Sequence, residues 1–176
     1  MPNWCENELR IHGSKSLREE LLEKVRNTEE DGETEFDFNK VVPYPEEYAS
    51  LDLLVKKWER DNKEVPWNDR PPRPKDGYNQ GGYEWCNQHW GTKWNASDVV
   101  VIPESSDDDD ETSVITFSTP WNPPFPVIEK LSEIFPDLTF SLSYWEGGMG
   151  FMGEIVVHNG QIVNEMESEY SGNRGG

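Results

Sequence analysis

Pro126-Val-Ile-Glu-Lys-Leu-Ser-Glu-Ile-Phe-Pro-Asp-Leu-Thr-Phe-Ser-Leu-Ser-Tyr144 changes period in its middle. Val127, Ile128, Leu131, Ile134 and Phe135 recur at helical spacing, and Pro136 lacks the N–H needed to continue a helix. From Leu138 the pattern alternates strictly, with Leu138, Phe140, Leu142 and Tyr144 on one side and small hydroxyl residues on the other. That is a strand with one buried face. Upstream, Val99 to Ile102 and Ser113 to Ser118 are β-branched and apolar, and they flank Ser105-Ser-Asp-Asp-Asp-Asp-Glu111, which predicts a hairpin with an acidic tip. Further upstream, Leu9 and Ile11 mark a short strand ended by Gly13. Ser14 can cap the helix that follows, whose stripe is Leu17, Leu21, Leu22 and Val25. Downstream, Glu154 to His158 and Gln161 to Val163 are joined by Asn159-Gly160, the residues a type I′ turn favours.

The order is strand, helix, a long excursion, strand, strand, helix, strand and a terminal hairpin. Without the excursion this is β-α-β-β-α-β, the ferredoxin-like split β-α-β arrangement, in the α+β class, with an antiparallel sheet and helices on one face. The expected organisation is a single domain over 1–170, a long α-containing insertion over 36–96 after the first helix, a C-terminal β-hairpin and a mobile tail over 171–176. In the insertion, Phe36 to Pro45 reads as extended, with Pro43 and Pro45 confining any strand to an edge. Pro45-Glu-Glu-Tyr opens a helix with Leu51, Leu54, Val55 and Trp58 on one stripe. Four prolines between Val65 and Gly77 exclude regular structure there.

Lys+Arg number 16 and Asp+Glu 35, a net charge of -19, so the chain repels phosphate backbones and anionic membranes. Generic nucleic-acid binding and membrane association are not expected. Two cysteines, Cys5 and Cys86, are too few for a disulfide scaffold, and the first residues carry no basic and apolar leader, which points to a reduced, cytoplasmic protein. The longest aliphatic run, Val99 to Ile102, is far too short to span a bilayer.

Function, if local, concentrates where charge and aromatics depart from the average. Lys56 to Lys75 holds seven basic residues against four acidic ones. It is followed by Gly81-Gly-Tyr-Glu-Trp-Cys-Asn-Gln-His-Trp-Gly-Thr-Lys-Trp-Asn95, which contains three of the eight tryptophans. Arg70, Arg73, His89, Trp90, Lys93, Trp94, Trp121 and Trp145 are therefore the candidate ligand-binding set: arginine forks and a lysine for an anion, and indoles to stack on a flat ring. The alternative is that the indoles are core and the basic island pairs with the protein's own acids. Asp107, Asp108, Asp109 and Asp110 are candidates for contact with a basic partner, the alternative being a solvated loop. They lack calcium-loop spacing. Gly147 to Gly153 is glycine-rich but without a phosphate-loop lysine, and suits a tight turn. Cys5, His12, Cys86 and His89 offer one pair at metal-like spacing, too little to assign zinc. Stacking of RNA on the sheet would need Phe117, Phe140 and Tyr144 exposed. No nucleophile and base stand in a recognised arrangement, and no cofactor, metal or catalytic residue is assigned.

Pro2-Asn-Trp-Cys-Glu-Asn7, His89-Trp-Gly-Thr-Lys-Trp-Asn-Ala96, Thr119-Pro-Trp-Asn-Pro-Pro124 and Ser143-Tyr-Trp-Glu-Gly-Gly-Met-Gly-Phe-Met-Gly153 together resemble the YubB-type ferredoxin-like family of uncharacterised bacteriophage and conjugative-plasmid proteins. The resemblance implies a ferredoxin-like domain of a mobile element and brings no settled activity. The resulting expectation is a non-catalytic binding protein, a host-takeover or counter-defence factor that binds and inhibits a host protein. The alternatives are a sponge for a small nucleotide-type signal in a Trp/Arg/Lys pocket and, third, an enzyme working around His89 with Lys93 or Glu84.

Overall fold

The computed structural model describes residues 2–29, 32–102 and 112–172. Six strands and four α-helices follow one another as β1 (Trp4–His12), α1 (Lys15–Val25), α2 (Glu46–Asp61), α3 (Gly82–His89), β2 (Ser97–Ile102), β3 (Thr112–Pro120), α4 (Phe125–Ile134), β4 (Thr139–Glu146), β5 (Phe151–His158) and β6 (Gln161–Glu169). The strands form one antiparallel sheet in the order β2-β3-β1-β4-β5-β6. The first four positions are the ferredoxin-like sheet, and the terminal hairpin extends it past β4.

Alternation along each strand divides the sheet into two faces. Leu9, Ile11, Ile115, Phe117, Phe140, Leu142, Ile155 and Val157 are buried with Leu21 and Val25 of α1 and Val127, Ile128 and Leu131 of α4. Each such side chain contributes about 1.5–3 kcal/mol by leaving water, and Phe140→Ala would cost roughly 3–5 kcal/mol. The opposite face presents Glu6, Glu8, Arg10, Ser141 and Ser143, which are half-buried or exposed. The β5–β6 turn has φ 50° at Asn159 and 73° at Gly160, the left-handed pair a type I′ turn requires. Gly147 to Gly150 turns β4 into β5, closed by the Glu146 carboxylate, which accepts from the Gly148 amide at 2.7 Å and from that of Met149.

Residues between α1 and β2 are anchored by a buried polar knot. Asp37 accepts from the Asn39 amide at 2.9 Å, Asn27 Nδ2 at 2.9 Å and Asn95 Nδ2 at 2.7 Å, while Asn95 Oδ1 accepts from the Phe38 amide at 2.9 Å. With the carboxylate saturated, Phe36 and Phe38 enter the core edge-on to Phe117. Satisfaction of this kind is what makes a buried charge tolerable.

Several expectations need correction. Phe36 to Pro45 forms no edge strand: Phe38–Lys40 is a single 3-10 turn, and the rings of Phe36 and Phe38 are core. The segment around Cys86, to which the sequence pattern assigns no regular element, is helical, because α3 runs to His89. On α2 the stripe is narrower than its spacing suggests, since Val55 is buried but Leu54 is 53 % exposed. Phe117, Phe140 and Tyr144 all face the helices, so they cannot stack on RNA. Asp107, Asp108, Asp109 and Asp110 lie outside the described residues, as does the tail beyond Gly172. No helix among the described residues is long and apolar enough to cross a membrane.

Candidate functional site

Antiparallel pairing brings the start of β1, the start of β2, the end of β3 and the β4–β5 turn to one end of the sheet: Trp4 faces Pro120, Ser97 faces Ser118, and Glu146 faces Phe151. The four segments quoted above, scattered from residue 2 to 153, therefore converge. The Trp121 amide donates to the Asn3 carbonyl at 3.0 Å. Thr92, fully buried, donates its hydroxyl to the Pro120 carbonyl at 3.0 Å. Asn7 Nδ2 reaches Thr119 Oγ1 at 2.9 Å, and Thr119 Oγ1 donates onward to the Asn122 carbonyl at 2.8 Å. Gly91, at φ 78°, turns the chain where a side chain would meet Pro126 Cδ at 2.8 Å.

On this scaffold stand three indoles, two of them facing one ammonium. Trp4, Trp94 and Trp121 are 37 %, 42 % and 39 % exposed. Trp4 and Trp94 lie with ring centroids 6.4 Å apart, tilted by 49°. Lys93 Nζ sits 4.3 Å from the Trp94 ring centre and 5.9 Å from that of Trp121, a cation held over two π faces. Trp121 has φ 73°, a conformation that costs a bulky residue about 1–3 kcal/mol and persists where surroundings impose it. Here the Asn3 carbonyl and the Thr119–Asn122 hydrogen bond impose it. The half-buried Tyr78 hydroxyl titrates above its usual range, chiefly because burial disfavours the phenolate. Large, rigid, half-exposed rings on a pre-set loop framework suit recognition, since little side-chain freedom is lost on contact.

The remaining sequence candidates are distributed elsewhere. Trp90 is 5 % exposed and packs at angles to Phe38, Tyr44 and Trp85 while its N–H donates to the Val42 carbonyl at 2.8 Å, so it is core and not a pocket wall. His89 stacks on Trp85 at 4.5 Å, with Nδ1 donating to the Trp85 carbonyl at 2.9 Å. Arg70 is spent on the Val65 and Lys63 carbonyls and lies over Trp67, and Arg73 is held by Glu59 at 3.1 Å and Asp76 at 3.2 Å. Among the described residues no contact joins either arginine to the exposed indoles, so the expected Trp/Arg pocket does not assemble. Trp145 stands on the open sheet face opposite Glu6. Trp4, Thr92, Asn95 and Thr119 are not among the candidate site residues; each leaves a trace in the sequence only as part of a quoted motif.

The thiols are poor nucleophiles. Burial, reinforced by Glu146 and then Glu6, pushes Cys5 up to about 12, and burial followed by Asp52 pushes Cys86 up to about 12. Among the described residues no three His, Cys, Asp or Glu side chains cluster as metal ligands.

Comparison with known proteins places this arrangement. No curated protein matches the chain. The crystal structure of protein api92 from Yersinia pseudotuberculosis superposes with a TM-score of 0.59 at 11 % sequence identity, covering 98 % of this chain and 99 % of that one. At that identity the likeness establishes the fold. Residues 89–174, which begin at the last residue of α3 and contain Lys93, Trp94, Trp121 and Trp145, match the family model described as the ferredoxin-like domain in Api92-like protein, so this chain is ferredoxin-like in fold and its C-terminal part is similar to that domain.

Proposed function

We propose that the protein is a non-catalytic binding protein of a phage or other mobile element, a host-takeover or counter-defence factor that occupies and inhibits a host protein. One observation carries the reading: Trp4, Trp94 and Trp121, from three distant segments, are gathered half-exposed at one end of the sheet, with Lys93 over the faces of Trp94 and Trp121 and the framework locked by buried hydrogen bonds. Such rings are the residue type that dominates contact energies between proteins. The resemblance to mobile-element proteins makes the partner a host protein, and the charge of -19 makes it a basic one, with Asp107 to Asp110 assigned to steering. The test is affinity capture from host lysate with wild type, Trp94→Ala and Trp121→Ala at matched thermal stability. A specific partner lost with either indole supports the reading; identical capture by all three refutes it.

Lys93 between two indole faces also favours a second reading, capture of a flat anionic ligand of nucleotide type. A thermal shift with linear or cyclic nucleotides that Trp94→Ala abolishes would establish it, and no shift across the panel would dismiss it.

A further inference from the structure

The open face of the β4–β5–β6 meander carries a depression of about 560 Å³. Two cross-strand rows wall it: Trp145 beside Met152, which faces Ser168, and Ser143 beside Glu154, which faces Met166. Its apolar parts are thus one indole and two thioethers, side chains that adapt to whatever apolar group enters. Glu154 stands on this face and Glu6 faces Trp145 from β1, whereas Glu165 and Glu167, opposite Ile155 and Gly153, project to the other side of β6.

The charge around it has one sign. From Leu131 to Asn173 the sequence contains no lysine or arginine, but it contains Glu133, Asp137, Glu146, Glu154, Glu165, Glu167 and Glu169. Glu146 closes the β4–β5 turn. Among the described residues Glu154, Glu165, Glu167 and Glu169 have no ion-pair partner. The depression also adjoins the indole patch, because Glu6 faces Trp145 and Trp4 lies two residues along the same face of β1. Acidic and anionic surfaces are repelled here. A second copy of the chain would bring its own charge of -19.

We propose that this depression seats a basic, apolar-anchored segment of the partner protein. One large apolar side chain enters between Trp145, Met152 and Met166, and flanking lysines or arginines meet Glu154 and Glu6. The inference rests on the binding-protein reading above and names the chemistry its partner must have.

Methionine-methyl NMR on the full-length chain tests it, with the two signals assigned through Met152→Leu and Met166→Leu. The probes are a synthetic amphipathic Lys/Leu peptide, a Lys/Ser peptide of equal charge and a Glu/Leu peptide. The expected result is movement of the Met152 and Met166 methyls with Lys/Leu alone at physiological ionic strength. A Met152→Ser, Met166→Ser double variant should weaken that binding about tenfold or more. Equal binding of the Lys/Ser peptide would reduce the effect to bulk charge and overturn the proposal. So would methyls that stay still with the Lys/Leu peptide, or that move with protein concentration alone. Unmoved methyls alongside partner capture that still depends on Trp94 would sink the groove and leave the binding-protein reading standing; the converse pair of results would sink the indole patch instead.

Discussion

Asn95→Ala removes a side chain that ties the exposed indole segment to the core. Asn95 follows Trp94 directly, accepts from the Phe38 amide at 2.9 Å and donates to Asp37 at 2.7 Å. Truncation leaves a backbone N–H without its acceptor and removes one of the three donors that satisfy the buried Asp37 carboxylate. An orphaned neutral donor costs about 1–3 kcal/mol and a lost hydrogen bond to a charge about 1.5–3 kcal/mol, so the expected destabilisation is roughly 3 kcal/mol. In a chain of this size that is a fall in Tm of about 6–12 °C. Equilibrium urea unfolding measures it, with Gln88→Ala on the exposed side of α3 as a control expected within about 0.5 kcal/mol of wild type. The Asp37→Ala variant combined with Asn95→Ala should cost less than the sum of the two by at least about 1 kcal/mol, because both sever the same bond. Affinity for a captured partner should fall with Asn95→Ala beyond what the unfolded fraction explains, since Trp94 loses its footing. An unfolding free energy within about 0.5 kcal/mol of wild type would refute the knot as the anchor of the site.

Other outcomes follow from the same packing. Trp90→Ala should destabilise by roughly 3–5 kcal/mol in the same unfolding assay, whereas a pocket-wall tryptophan would be close to neutral. Because Cys5 and Cys86 are raised in the fold from 9.0 to about 12, their ionisation favours the unfolded chain at high pH. The stability they contribute is complete below pH 9.0 and declines as pH rises towards about 12, so a Cys5→Ala, Cys86→Ala variant should show a shallower alkaline loss. An unchanged slope in pH-dependent denaturation would contradict that assignment. Arg70→Ala and Arg73→Ala should leave partner and nucleotide binding unaltered in titration calorimetry, and a marked loss from either would return the basic island to the site. Gly153→Ala should be destabilising by about 1–3 kcal/mol, because the added carbon would lie 2.5 Å from the Met166 carbonyl oxygen and 2.4 Å from the Tyr144 hydroxyl.

What could be read in advance depended on whether the signal was periodic or positional. The shift of period at Pro136 and the Asn159-Gly160 pair are local patterns, and α4, β4 and the β5–β6 hairpin stand where those patterns put them. Helix α3 carries too few turns to show a period, and it starts at Gly82 for a tertiary reason: a side chain there would meet the Tyr44 hydroxyl at 1.9 Å. The site divides in the same way. Trp90 and Trp94 are four residues apart and identical in type, but the chain turns at Gly91, sending one ring into the core and leaving the other half-exposed. Trp4 belongs with them only because β1 pairs with β3, a neighbour relation that spacing does not encode. Asp37 and Asn95 look like ordinary polar loop residues until their partners are in place.

Indole N–H resonances of the eight tryptophans, followed by NMR while a captured partner is titrated in, address the recognition surface itself. The account predicts that Trp4, Trp94 and Trp121 shift or broaden while Trp58 and Trp67 stay put. Perturbation centred on Trp67, with the three sheet-end indoles unmoved, would contradict it.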